Sequence, residues 1–232
     1  MTYIIIPTFN ESKNISLICK DILKYIYNVN IIIIDDNSTD GTQEIIKRLS
    51  KKDNRIKYFI RKNKNKNFAA SYIDGFKIAI RDGADYIIQM DADFSHQPKY
   101  LQDIIKNLKD YDLVIGSRYV KRGSVGNWSF LRKLISKGGN IFAKFATKTD
   151  IRDLTSGFVG WRSSVLKKNN FDKIKTNGYA FQIELKYSAS IFGAKIKEIP
   201  IVFLDRTKGQ SKMNKKIIIE ALIFCFKLIV RN

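Results

Sequence analysis

The feature that most constrains this chain is a strict alternation of short, uniformly apolar runs with amphipathic stretches. YIIIP (3–7), NIIIIDD (30–36), RIKYFI (55–60), DYIIQM (85–90) and DLVIGS (112–117) read as strands. Strands buried on both faces carry continuous apolar runs rather than an alternation, and that is the habit of a parallel sheet. Between them lie helical patterns. Residues 10–27 place apolar side chains at 15, 18, 22 and 26, close to helical spacing. Ser38, Thr39 or Asp40 can cap a second helix running to about Leu49. Residues 68–81 and 98–108 give two more, the latter opened by Pro98. Strand alternating with helix dictates an α/β fold with a mostly parallel, helix-covered sheet. Beyond residue 118 the pattern loosens. A helix is expected over 130–147, a strand near FVGWR (158–162), a helix around 179–192 and a strand over KIKEIPIVF (195–203).

With 232 residues, 44% of them hydrophobic, and only three prolines, the chain can bury one substantial core, which excludes disorder. Cys19 and Cys225 stand alone beside a single histidine, so neither a disulfide framework nor a zinc site is suggested, and a reducing, cytoplasmic setting follows. The N-terminus reaches Pro7 after four apolar residues and has no basic flank, unlike a secretory leader. At the other end, the apolar core of KKIIIEALIFCFKLIVRN is 14 residues (217–230), interrupted by Glu220 and Lys227. A span needs about 20. The segment is expected to form an amphipathic helix (213–232) that follows a catalytic domain over 1–212. Such a helix can lie on the cytoplasmic face of an anionic membrane, pack on the domain or pair with a small membrane partner subunit.

The formal net charge is +20, and it is clustered. From Arg118 to Arg152 there are nine basic residues and one acid; from Arg206 to Arg231 there are seven and one. Clusters of this kind favour phosphates, acidic lipid or nucleic acid.

In open parallel sheets ligands bind beyond the carboxyl ends of the strands. Four polar clusters fall there: 7–11, 35–40, 91–95 and 116–118. No Gly-x-Gly-x-x-Gly follows the first strand and no Gly-x-x-x-x-Gly-Lys-Ser/Thr occurs, which argues against a dinucleotide dehydrogenase or a P-loop enzyme. MDADFSHQP (90–98) instead puts Asp91 and Asp93 one residue apart. Two neighbouring carboxylates repel unless a cation intervenes. Mg²⁺ or Mn²⁺ suits them, since such ions are commonly held by one or two carboxylates together with substrate phosphates.

Seven segments occur together in order: PTFNE (7–11), IIIIDDNSTDGT (31–42), MDADFSHQP (90–98), GSRY (116–119), DLTSGF (153–158), GYAFQIE (178–184) and DRTKGQSK (205–212). In order and spacing the chain resembles the dolichol-phosphate mannosyltransferases, inverting GT-A-type glycosyltransferases of family 2, over residues 2–212. The resemblance implies a GT-A fold, and a donor site in which Pro7, Phe9, Glu11, Ile34 and Asp36 hold the guanosine part of GDP-mannose. Helix caps are available from Ser38 to Asp40, which would leave Asp36 free for that role. Asp91, Ala92 and Asp93 would lie along the diphosphate. Asp93 would be the principal metal ligand, with Asp91 and Ser95 beside it. Arg118, Arg206 and Lys212 would meet the donor and acceptor phosphates, and Arg132 and Ser136 the lipid phosphate. Asp93, Arg118 and Arg206 are thus the expected catalytic residues. His96 is expected to support the site rather than act in catalysis, and Trp128 and Trp161 to be core or membrane-facing.

By the same resemblance, the acceptor is a dolichyl or polyprenyl phosphate. A phosphate monoester with its second pKa near ~6 is already a nucleophile at neutral pH, so positioning and leaving-group stabilisation are what remain to be supplied. UDP-glucose or UDP-N-acetylglucosamine as donor, a nucleotidyl transfer and a nucleic-acid-binding role are the rival readings. The last is disfavoured because the strands are apolar on both faces, whereas RNA-binding sheets expose aromatics.

Overall fold

The computed structural model describes residues 1–62, 67–205 and 215–231. Nine strands and eight α-helices follow one another among them. The first half contains β1 (Thr2–Thr8), α1 (Ile15–Tyr25), β2 (Asn30–Asp35), α2 (Thr42–Lys52), β3 (Ile56–Ile60), α3 (Phe68–Arg81), β4 (Tyr86–Gln89), α4 (Leu101–Asn107) and β5 (Leu113–Ser117). The second half contains β6 (Ser124–Val125), α5 (Phe130–Thr147), β7 (Val159–Arg162), α6 (Ser163–Lys167), α7 (Gly178–Ile191), β8 (Ile196–Pro200), β9 (Val202–Phe203) and α8 (Lys215–Arg231).

Seven strands form one sheet in the order β3-β2-β1-β4-β7-β5-β8, while β6 and β9 make a separate parallel pair. Every pairing in the large sheet is parallel except those of β7, which runs antiparallel between β4 and β5. The strand order reverses at β1, flanked by β2 and β4. That switch point opens the crevice in which open α/β sheets bind ligands.

The continuous apolar runs have a direct cause. Successive side chains point to opposite faces of a strand, and both faces are covered. Ile4, Ile6, Ile31, Ile33 and Ile88 pack in a core with Ile15, Ile18 and Ile22 of α1, Ile46 of α2 and Leu101 and Ile104 of α4. Ile5, Ile32, Ile34 and Ile87 face a second core with Phe76 of α3, Ala143 of α5 and Phe181 of α7. Gly75 lets α3 approach closely, because an added Cβ would collide with Ile5.

The structure departs from the sequence reading at element ends. Asn10 takes a left-handed φ of 53°, so the chain turns there and α1 begins only at Ile15. The N-cap of α2 is Gly41 at φ 90°, with no side-chain cap. Ser38 instead joins Asp35 to Asn10, and Asp40 accepts from Thr42 and Ser12. Pro98 opens a short 3₁₀ turn before α4. The expected strand over 195–203 is two, because the chain leaves the large sheet after Pro200 and pairs with β6. The short β6 and α6 had no periodicity to betray them.

Candidate active site

The loops after β1 and β2 are sewn together by side chains whose alternatives would be buried and unpaired. Asp35, fully buried, accepts from the Thr8 hydroxyl at 2.9 Å and from the Ser38 hydroxyl at 2.5 Å. Thr42 Oγ1 accepts from the Glu11 backbone N–H at 2.9 Å, and the Glu11 carboxylate accepts from Asn14 Nδ2. Pro7 and Phe9 are partly exposed at the mouth of this seam. Ile34 is not: its side chain has no exposure and packs in the α3-side core, so its expected contact with a ligand could be made only through the backbone. Asp36 caps no helix, as expected, but its carboxylate is already engaged. Oδ1 receives Arg61 Nη1 at 2.8 Å and Oδ2 receives the Asn67 N–H at 2.9 Å, while Arg61 Nε also holds Asp74. Each carboxylate oxygen has a second lone pair, so Asp36 can still accept from a ligand.

Asp91 and Asp93 stand at the end of β4 on opposite footings. Asp91 has 29% of its side chain exposed, with Oδ1 accepting from the Tyr72 hydroxyl at 3.1 Å. Asp93 is 3% exposed, as is Ser95. Its Oδ1 accepts both the Ser95 N–H at 3.1 Å and the Ser95 hydroxyl at 2.6 Å. The turn between them needs Phe94 at φ 64°, a conformation that costs a non-glycine residue about 1–3 kcal/mol and collects at functional sites. His96 anchors the loop from below. Its Nδ1 accepts the Asp91 N–H at 3.0 Å, which leaves the proton of the neutral ring on Nε2. The ring stacks on Phe158 at 5.0 Å. Burial lowers its pKa, against the pull of the Asp91 and Asp93 charges. His96 is therefore a support, as expected.

The donor set fits a hard divalent cation. Among the described residues no group of three or more His, Cys, Asp or Glu side chains could hold a metal, so a closed protein cage is absent there. Two carboxylates completed by water and a diphosphate are the usual arrangement for Mg²⁺. Ser95, expected as a third ligand, donates its hydroxyl proton to Asp93 and so orients that carboxylate, while its oxygen lone pairs stay available to a cation.

Arg118, expected to meet the phosphates, has its guanidinium already engaged within the fold. It is 6% exposed and its fork closes on Asp153, with Nε to Oδ2 at 2.8 Å and Nη2 to Oδ1 at 2.6 Å. Nη2 also reaches the Thr155 hydroxyl at 2.7 Å. Burial acts to lower its pKa, yet the Asp153 charge and hydrogen bonds outweigh that and hold it above the ordinary value. Its charge is thus compensated internally. Arg132 is the more open cation, with 40% of its side chain exposed. Its guanidinium lies 4.1 Å over the Trp128 ring and its Nη1 donates to Asp205 at 2.8 Å. Trp128 Nε1 donates to the same oxygen. Trp128 is buried, as expected, and its ring also lies between Arg132 and Arg118; Trp161 is core, donating to Gln89. Ser136 accepts from the Tyr119 hydroxyl at 2.7 Å. Arg206 and Lys212 lie outside the described residues. Sequence reasoning missed Arg61, Tyr72, Asp153 and Asp205; of these, Asp153 and Asp205 stand first in two of the quoted segments.

Beside Arg132, α5 turns Phe130, Leu131, Leu134, Ile135, Ile141 and Phe145 to solvent, from 53% to 81% exposed. On α8, Cys225 and Leu228 are buried and the Phe226 ring meets Phe142 of α5 at 5.1 Å. Ile219, Ile223, Phe226 and Val230 remain exposed. No helix among the described residues is long and apolar enough to cross a membrane.

Residues 3–169 match the Glycosyl transferase family 2 model. The chain is 33% identical over 219 residues to an undecaprenyl-phosphate mannosyltransferase of Micrococcus luteus, covering 94% of this chain and 90% of the relative. It is 36% identical over 222 residues to a polyprenol monophosphomannose synthase of Mycolicibacterium smegmatis, covering 95% and 84%. A glucosyl-3-phosphoglycerate synthase of Mycobacterium tuberculosis, solved with Mn²⁺, UDP-glucose and phosphoglyceric acid, superposes with a TM-score of 0.68 at 13% identity over 97% of this chain and 80% of that one. A mannosyltransferase of Pyrobaculum calidifontis solved with GDP-mannose and Mn²⁺ gives 0.62 at 15% identity, over 100% and 64%. These two share the GT-A fold with the chain. With residues 3–169 matched by the family model and 94–95% of its length by the two mannosyltransferase relatives, the chain belongs to glycosyl transferase family 2.

Proposed function

We propose that the chain transfers mannose from GDP-mannose to a dolichyl or polyprenyl phosphate with inversion, releasing GDP and polyprenyl-phosphate β-mannose. One observation carries this reading. The partly exposed Asp91 and the buried Asp93 follow β4 and Arg118 follows β5 at the same edge of the sheet, Arg118 and Arg132 share the Trp128 ring, and an uncovered apolar helix starts beside Arg132. The relatives' names supply the sugar and the lipid phosphate; the P. calidifontis enzyme was solved with GDP-mannose.

The chemistry asked of the protein is modest. A lipid monophosphate is mostly dianionic at neutral pH and attacks without a protein base. His96 fits that view, since it is buried with Nδ1 occupied by Asp91. Glu11, Asp36 and the seam around them would hold the nucleoside. Asp91 and Asp93 would hold a Mg²⁺ or Mn²⁺ ion, whose charge would neutralise the departing diphosphate. Arg132, preset on Trp128, offers a guanidinium fork to the acceptor phosphate. Arg118 keeps a fixed positive charge behind it, and Arg206 and Lys212 are proposed to complete the phosphate site.

The exposed faces of α5 and α8 suit the surface of an anionic bilayer. Monomeric proteins rarely leave so continuous an apolar patch uncovered, and exposed Lys133, Lys137, Lys148, Lys216 and Lys227 surround it. Apolar residues entering the headgroup boundary, with lysines meeting acidic headgroups, describe peripheral binding. An acceptor held there would bring its phosphate to Arg132.

Turnover of GDP-mannose with a short polyprenyl phosphate, in Mg²⁺ and in EDTA, tests the reaction. Asp93→Ala and Arg206→Ala should each lose about two to four orders of magnitude, the scale of one charge-stabilising group. Near-normal rates in both, or indifference to GDP-mannose beside active UDP-glucose, would overturn the reading.

A further inference from the structure

We infer that Lys186, a residue outside every phosphate-binding role described above, is a positioning residue whose ammonium group sets the loop on which Arg118 and the Asp91 turn both rest. The inference builds on the reaction proposed above and assigns it a further residue.

Lys186 lies on α7 with no exposure at all. Among the described residues no carboxylate touches it. Its Nζ donates to the carbonyls of Leu154 at 3.0 Å and Ser156 at 2.7 Å, and to the backbone and side-chain oxygens of its neighbour Gln182 at 3.2 and 3.3 Å. A buried lysine held only by neutral oxygens is expensive, and a methionine would fill the same space in a core. What the ammonium achieves is to draw two carbonyls of the 153–158 segment to one point.

That segment touches both halves of the site. Asp153 closes on the fork of Arg118, and Thr155 accepts from the same guanidinium. Thr155 is also fixed by Asn140 of α5. The Ser156 hydroxyl donates to Gly116 at the end of β5. Gly157 lies against His96, where an added Cβ would come within 3.3 Å of Cε1, and Phe158 stacks on the same ring. His96 in turn accepts the Asp91 N–H. One cation therefore underpins the arginine on the acceptor side and the carboxylate turn on the donor side. A misplacement of about 1 Å at such a site is worth ~10²-fold in rate.

The ammonium has a measurable signature. Burial pushes the Lys186 pKa down to about 7; Asp153 and Glu198 pull it upward and Arg118 pushes it further down. A neutral amine has two N–H groups where the ammonium has three, so the four oxygens now around it share one donor fewer and the charge that draws the loop carbonyls together is gone. The consequences for stability and for activity have opposite signs. The folded pKa is below that of an unfolded lysine, so the folded chain binds fewer protons from about pH 7 up to the unfolded value. Stability therefore rises with pH in that window, while loss of the loop's clamp lowers kcat.

The test uses the intact chain with GDP-mannose and a short polyprenyl phosphate in detergent. kcat, kcat/KM and urea midpoints are recorded from about pH 5.5 to about 9.5, with ¹³C-lysine NMR alongside. Wild type should lose about tenfold in kcat above neutrality while its urea midpoint holds or rises. Lys186→Arg, charged throughout, should keep most of the activity and lose the descending limb. Lys186→Met should lower kcat by about ten- to a hundredfold with little change in KM, and also lack the limb. A descending limb unchanged in both variants, or wild-type kcat in Lys186→Met, overturns the inference. If neither variant folds, the wild-type NMR decides: no lysine titrating near pH 7 in step with kcat overturns it. The rise in rate below neutrality belongs to the acceptor phosphate. Absence of turnover at every pH would count against the proposed reaction and leave the lysine titration as the measure of Lys186.

Discussion

The two sides of the site, proposed above to take the donor and the acceptor, handle charge and apolar surface differently. On the donor side, the loops after β1 and β2 bind one another through neutral and single-charge hydrogen bonds, the loop after β4 is held by its own His96 and Ser95, and the buried cation Arg61 is shared between Asp36 and Asp74. On the acceptor side, the buried cation Arg118 depends on Asp153 as its one carboxylate partner among the described residues, and the helix beside it leaves its apolar residues in water. The difference follows from the ligands each side is read to meet. A water-soluble nucleotide can be received by preset polar loops. A lipid phosphate needs a wall that is apolar outside and strongly cationic within.

The sharpest way to break that contrast is to remove one carboxylate from each side. Asp153→Ala leaves Arg118 charged and buried without a carboxylate partner, an arrangement that costs about 3–5 kcal/mol. Asp36→Ala leaves Arg61 with Asp74 and should cost clearly less. Urea midpoints of the two variants measure this directly. Equal losses would mean that the two cations are supported alike. Replacing Arg118 and Asp153 together by apolar residues should recover most of the stability, since a dry core can substitute for a buried ion pair.

The same contrast explains what the sequence made legible. Strand-end positions follow from hydrophobic pattern, which located 7–11, 35–40 and 91–95 on the donor side and 116–118 on the other. α3 and α5 also follow their expected bounds, because both have strong periodicity and a capping side chain, Asn67 and Ser129. The pairings were not legible. Arg118 and Asp153 are 35 residues apart, and nothing local in GSRY shows that its arginine faces inward. Lys186 reads as one more lysine among many. Asp36 was read as free because helix caps were counted, while its real partner, Arg61, arrives from beyond β3.

A smaller effect sharpens the apolar half of the contrast. Leu134→Ser with Ile135→Ser removes two exposed side chains from α5. Burying one such side chain fully contributes about 1.5–3 kcal/mol, so partition onto phosphatidylglycerol vesicles should weaken by at least about tenfold. Leu17→Ser, an equally exposed leucine on α1, should leave partition unchanged. Added salt should weaken wild type further by screening the lysines. Sedimentation with vesicles reads all three, and equal losses in the α1 and α5 variants would remove the case for a membrane-facing side.

The smallest effect expected lies where the donor side would meet the proposed metal. Tyr72 is buried in a row of rings, edge-on to Phe68 at 4.9 Å and stacked with Phe76 at 5.9 Å and Phe181 at 6.4 Å. Burial, and then the nearby Asp91 charge, raise its pKa well above the ordinary value, so it remains a hydrogen-bond donor throughout the working range. Tyr72→Phe keeps the rings and removes the bond to Asp91. A hydrogen bond contributes about 0.5–1.5 kcal/mol net, so the Mg²⁺ or Mn²⁺ concentration for half-activation should rise by about two- to tenfold with kcat at saturating metal nearly intact. Trp161→Phe deletes a comparable bond, to Gln89, within the α3-side core. It should lower stability by a similar amount and leave the metal requirement unchanged. The pair separates a hydroxyl that aims a carboxylate from an indole that only completes a core, and a shared shift in metal requirement would show that Tyr72 belongs to the second kind.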